Sequence, residues 1–188
     1  MTAVIAFCRQ VRSRSNEHRH AMHLLSGAGL AGQMVAILRQ ELDSMARVIY
    51  LVAQPIGRRN SLIESSVNGE RWSQPKSKGP VTDREMIDLS QKLQGWTRSV
   101  YKFGCAFIHL SSVHDYNDRD PFGLLPTDEQ QAIIQHCRFY HGGPITSEPS
   151  FLDFVPYIPL IFEKITDNLR WYVEKLENGV ESDAEEIW

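Results

Sequence analysis

The sequence predicts an all-α fold, a single-domain bundle of four to five main helices, on three observations. Met86, Leu89, Leu93, Trp96, Val100, Phe103, Phe107 and Leu110 recur at alternating spacings of three and four, the mark of a helix seam packed against other helices. The same rhythm returns in Leu30, Met34, Leu38, Leu42, Met45, Ile49 and Val52, and in Ile158, Ile161, Ile165, Leu169, Tyr172 and Leu176. No stretch alternates convincingly with the period of two that a half-buried strand requires.

Taken in order, residues 3–12 read as a short helix. Residues 17–53 read as one long helix, or as two joined near Gly27, Gly29 and Gly32, and Pro55 with Gly57 stops them. Residues 54–81 show no strong period and hold Arg58, Arg59, Arg71, Lys76, Lys78, Pro75 and Pro80. They read as a long basic loop with room for a short helix at 60–67. A loop of that length in a compact domain points to function or mobility. Thr82 and Glu85 form a capping-box pattern, which opens the seam helix and carries it to about Ser112. Thr127 to Gln130 repeats the pattern and opens a helix to about Tyr140, ended by Gly142, Gly143 and Pro144. Ser150 caps the last segment, Pro156 and Pro159 kink it, and Asn178–Gly179 ends it. Residues 1–180 form the bundle and residues 181–188 an acidic, frayed tail.

The bulk numbers narrow the class. A chain of 188 residues with 42% hydrophobic and 23% charged residues has the composition of a soluble globular domain. No apolar run approaches the roughly 20 residues that cross a bilayer. The start, MTAVIAFCRQVRSR, places arginines after its apolar stretch, the reverse of a secretory signal. Cys8, Cys105 and Cys137 are odd in number, far apart and without CxxC spacing. They read as reduced thiols of a cytoplasmic protein. The net charge of −3 hides an asymmetry. Residues 1–80 hold 11 Lys and Arg against 5 Asp and Glu, and residues 81–188 hold 9 against 18. The basic residues are scattered, which favours pairing within the chain or between subunits over nucleic-acid binding.

Five places carry residues with chemistry. On the seam helix, Arg98, Lys102, Cys105 and His109 fall opposite the packing face. His109 is a candidate general base, with Lys102 and Arg98 as phosphate contacts; the alternative is a histidine satisfied by a neighbouring helix. A Cys105 thiolate beside His109 is a weaker option than a buried cysteine. His114, Asp115, Asp118 and Asp120 hold ligand types for a divalent cation, but lack the glycine and glutamate of an EF-hand, and aspartates also serve turns. Arg12, Arg14, His18, Arg19, His20 and His23 form a phosphate- or metal-seeking face, or a solvated one. The loop arginines and lysines, Arg58, Arg59, Arg71, Lys76 and Lys78, are candidate nucleic-acid contacts, with Trp72 placed to stack on a base. Cys137 and His141 lie one turn apart at a helix end, which capping explains without chemistry. P-loop, GxGxxG, GxSxG, HExxH and paired CxxC motifs are absent, and no cofactor or metal is expected.

The long helix with Leu38-Arg39-Gln40-Glu41-Leu42, followed by Tyr101-Lys102-Phe103-Gly104-Cys105-Ala106-Phe107-Ile108-His109-Leu110-Ser111, resembles helical bacterial proteins related to the HEPN superfamily over about residues 30–115. The resemblance implies a dimeric bundle. It also implies a metal-independent RNase of toxin–antitoxin or phage-defence systems, whose signature is an arginine, four to six residues, then a histidine. Here Lys102 holds the arginine position before His109. Literal matches fall at Arg12–His18 and Arg14–His20, outside the segment where the family carries the motif. The primary expectation is therefore a non-enzymatic interaction module, a homo-oligomer that binds a protein partner through the bundle surface and acidic tail. The alternative is the RNase, with Arg or Lys neutralising the scissile phosphate and His109 moving the 2′-hydroxyl proton.

Overall fold

The computed structural model describes residues 2–75, 79–108 and 111–180. Within them the chain is helical, and its only extended pairing is an isolated bridge between Ser73 and Pro80. The helices are α1 (Ala3–Gly27), α2 (Ala31–Val52), α3 (Ile56–Val67), α4 (Asp83–Gln94), α5 (Thr97–Ile108), α6 (Thr127–His141), the short α7 (Phe151–Phe154) and α8 (Ile158–Glu177). His109 and Leu110, Lys76 to Lys78 and the acidic tail 181–188 lie outside the described residues.

The apolar heptad-like stripe of α2 explains its place as the hub. It packs against α1 and α8 on one side and α4 and α5 on the other, and α3 lies on α1. One hydrophobic cluster runs from Phe7 to Leu176, with Leu42, Met45, Ile49, Phe162 and Ile165 fully enclosed. α6 packs mainly on α5.

The helical rhythm identified the elements and missed some breaks. The seam is two helices rather than one. Gly95 takes a left-handed φ of +75° and ends α4, a conformation glycine adopts without steric penalty, and α5 restarts at Thr97. The expected short first helix is the opening of a 25-residue α1 that is Thr2-capped and ends at Gly27. The long loop at 54–81 is shorter than expected, because α3 occupies 56–67. Four to five main helices therefore become seven of at least 12 residues among the described residues.

Two of the three capping patterns form. Thr82 and Glu85 satisfy each other's backbone amides, and at Ser150 the backbone N donates to Asp153 Oδ2 (2.8 Å) while Asp153 N donates to Ser150 O (3.1 Å). At α6 the cap residue is Pro126, and Gln130 Nε2 donates to Leu125 O (2.7 Å) instead of closing a box. The prolines at 156 and 159 produce the expected kink, a 3-10 turn at Val155–Tyr157 between α7 and α8.

Candidate functional site

Of the residues singled out for catalysis, Arg98 and Lys102 are tied to carboxylates. Arg98, on the first turn of α5, reaches back over the Gly95 break to Asp88 Oδ1 (Nη2, 2.8 Å). Lys102, one turn on, pairs with Glu129 of α6. Both side chains are about half exposed. Exposed pairs of this kind contribute little stability, but they neutralise the cations offered as phosphate contacts.

The loop candidates separate. Arg59 is 1% exposed. Its Nε and Nη2 donate to Leu51 O (3.0 Å) and Val52 O (2.8 Å), the last carbonyls of α2. The guanidinium caps a helix that would otherwise end with orphan acceptors, so the reading of Arg59 as a nucleic-acid contact is corrected. Trp72 is buried too. It stacks on Tyr50 with 5.9 Å between ring centroids and donates to Ser66 Oγ (2.7 Å), so no face is open to a base. Arg58 donates to Ser73 O, and Arg71 is exposed.

Asp120 in the histidine–aspartate segment serves the backbone. Oδ1 accepts from Phe122 N (3.2 Å) and Phe151 N (2.8 Å), and Oδ2 from Gly123 N (3.2 Å). It thereby fastens the connection before α6 to the start of α7. No cluster of three metal-ligating side chains occurs among the described residues.

The N-terminal face holds an arrangement the periodicity did not reveal. His18 is buried where α1 crosses α2, and its Nδ1 lies 2.6 Å from Oε2 of the fully enclosed Glu41. Ser15 Oγ donates to Glu41 Oε1 (2.5 Å), and Thr166 of α8 reaches the same oxygen (3.3 Å). Arg14 Nε donates to His18 Nε2 (3.4 Å). A buried carboxylate with three partners from two helices is a satisfied polar network, which ties α1, α2 and α8 together. On its solvent side, Ser15 and Thr166 line a cleft of about 250 Å³ between α1 and α8, bordered by Arg12, Arg19 and Arg170. A carboxylate meets each of these guanidiniums: Glu177 (bidentate), Glu163 and Asp167. Arg12 holds the Glu177 carboxyl below its usual range. Two of the three pairs join the basic first part of the chain to its acidic second part, the internal complementarity that the charge asymmetry favours. The signal for this network was Glu41 itself, sitting between Leu38 and Leu42 on the apolar stripe.

A second place is the underside of α6. Two adjoining apolar voids of about 70 Å³ each open between α5, α6 and α8, sharing Ser99, Val100, Ile133, Phe154 and Ile161 as walls. Lys164 enters one of them. Its Nζ lies 3.1 Å from the Tyr140 ring centroid and 5.4 Å from that of Trp96, and no carboxylate among the described residues lies within ion-pair reach. Burial pulls its pKa below the ordinary lysine value. Burial and then the nearby Lys164 charge pull His141 down as well. Cys137, beside it, is a protonated thiol, pushed up to about 11 by burial, which removes the thiolate a nucleophile needs. Cys8 is likewise raised to about 11, burial being the main cause.

The outer face of α6 carries the most exposed aromatic side chain among the described residues. Phe139 is 81% exposed and meets Tyr140 edge-on (4.8 Å) in a shallow depression with Gln135, His136 and Arg138. Arg138 folds the following loop back through Pro144 O (2.8 Å) and Thr146 O (2.5 Å). Ile145, in that loop, is 89% exposed.

No family model, curated protein or solved structure matches this chain. No helix among the described residues is long and apolar enough to cross a membrane.

Proposed function

We propose that the protein is a non-enzymatic helical interaction module, and that the outer face of α6 engages an acidic protein segment carrying an apolar anchor. The observation that carries this reading is Phe139, a large aromatic side chain almost wholly in water beside Tyr140, in a depression edged by Arg138 and His136. Aromatic residues with an arginine are the composition of interface anchors. Charge supports an acidic partner. In a half-chain with 18 acidic residues against 9 basic ones, no ion pair to a carboxylate forms at Arg138 among the described residues. The reading needs no catalytic group, which agrees with the pairing of Arg98 and Lys102 to carboxylates.

The test is capture on the intact chain, identification of the recovered protein, and titration of that purified partner against wild type and Phe139→Ser. The exposed position makes the variant a folding-neutral change. A loss of about tenfold or more in affinity supports the reading. An equal affinity overturns it, and so does recovery of only a second copy of this chain, which would make the face a homo-oligomer contact. The RNase alternative is separated by His109→Gln: a folded variant that has lost an RNA cleavage shown by wild type replaces the module reading. A setting in bacterial defence rests on the HEPN resemblance, and an adjacent antitoxin or nucleotidyltransferase gene is the observation that supports it.

A further inference from the structure

The slot on the other side of α6 asks for a different occupant. Protein interiors are packed with few voids larger than a water molecule, yet here two adjoin, and their combined space approaches the roughly 150 Å³ of an engineered apolar cavity that takes up benzene. Their walls are Leu38, Val35, Phe103 and Phe122 at one end and Trp96, Cys137 and Tyr140 at the other, with Ile133 and Ile161 shared. Dry apolar walls select an apolar body. The one cation that borders them, Lys164, is held between Tyr140 and Trp96 by ring faces rather than by a carboxylate. Cation–π contacts leave the ammonium free to donate hydrogen bonds, and a partly desolvated ammonium gains more from a carboxylate than one in water.

We propose that the slot between α5, α6 and α8 is a binding site for a small monocarboxylic acid with an apolar or aryl body, its carboxylate on Lys164 Nζ and its body against Val100, Ile133, Phe154 and Ile161. His136 and His141 stand at the same end as Lys164 and add donors for the second carboxylate oxygen. Among the described residues no carboxylate lines either void, so an amine has nothing to pair with and would meet the Lys164 charge. α6 is the wall that admits the ligand, because it is anchored mainly on α5. The site needs no partner protein: it lies on the inner side of α6, where only His136 and Tyr140 also border the outer depression.

The experiment is calorimetric titration of the full chain with phenylacetate, 2-phenylethanol and 2-phenylethylamine, with the indole N–H resonance of Trp96 as a local reporter. Phenylacetate is expected to bind saturably and shift Trp96, with the alcohol weaker by about tenfold or more and the amine weaker still. Lys164→Met keeps the apolar stem and removes the ammonium, and it is expected to bring phenylacetate down to the affinity of the alcohol. Equal binding of acid and alcohol by wild type overturns the proposal, a comparison that needs no variant to fold. So does a Trp96 resonance unmoved by phenylacetate at millimolar concentration, or an undiminished affinity in folded Lys164→Met.

Discussion

Gly104 of α5 lies directly on Arg39 of α2: a Cβ built on the glycine would stand 2.7 Å from the Arg39 Cβ and 3.1 Å from its Cγ. The missing side chain lets the two helices close far enough for the Arg39 guanidinium to lie over the Tyr101 ring, 4.0 Å from its centroid. A glycine inside a helix is worth less than alanine in isolation. Here the close approach reverses that order.

Gly104→Ala is therefore expected to destabilise the fold by about 1–3 kcal/mol, since an overpacked interface must shift backbone. Chemical denaturation checks it. An unchanged or raised midpoint would show that α5 moves away from α2 at little cost.

Glu41→Ala removes the common acceptor of Ser15, His18 and Thr166 and leaves three buried groups facing a void. A loss on the order of 3 kcal/mol is expected. Ser15→Ala should cost much less alone, and the Ser15/Glu41 double variant should fall short of the sum. Strict additivity would mean that the two do not act as one network.

Arg59→Met keeps the buried volume and deletes the donors to Leu51 and Val52 carbonyls. About 1–3 kcal/mol should be lost, as for buried acceptors left unsatisfied. Amide exchange should quicken in the last turn of α2 more than in α8.

The pH dependence follows from His141. Its pKa in the fold is below the ordinary 6.5, because burial and Lys164 disfavour the imidazolium. The unfolded chain then binds the proton first as pH falls. Stability at His141 is unaffected above 6.5 and declines as pH drops from there toward the lowered folded value. Melting curves between pH 7.5 and 5.5 should show this decline, and His141→Gln should flatten it. A slope identical in the variant would assign the effect to other groups.

Cys8 and Cys137, with thiols near 11, should resist iodoacetamide at pH 8 in the folded protein and react on unfolding. Mass spectrometry of timed samples reads this directly. Rapid labelling of native Cys137 would mean that the slot beside it opens freely.

The bundle was legible because its core is built from long three-and-four rhythms, and α2 and α8 keep theirs nearly unbroken. Breaks were harder to see. Leu93 and Trp96 preserve the spacing across Gly95, so the seam reads as continuous although one left-handed residue divides it. Arg59 was misread because a charged residue in a weakly periodic segment looks solvated. Its helix-capping role depends on where α2 ends in space. The same reason hid Lys164: its neighbours Ile161 and Ile165 announce a packed helix, while the aromatic rings that enclose its ammonium come from residues 96 and 140, remote in sequence. Glu41 carried a visible sign, a carboxylate inside an apolar stripe, but its partners lie 23 to 125 residues away.

The ion pairs Arg12–Glu177 and Arg19–Glu163 set α1 and α8 side by side in opposite directions. Tension applied at the two ends of the chain would therefore reach the Arg12–Glu177 clasp first and peel the helices apart rung by rung, like a zip. The hydroxyls of Ser15 and Thr166 would part from Glu41 only after that clasp had opened. Under load, the molecule should yield at low force from its ends and hold longest around α2.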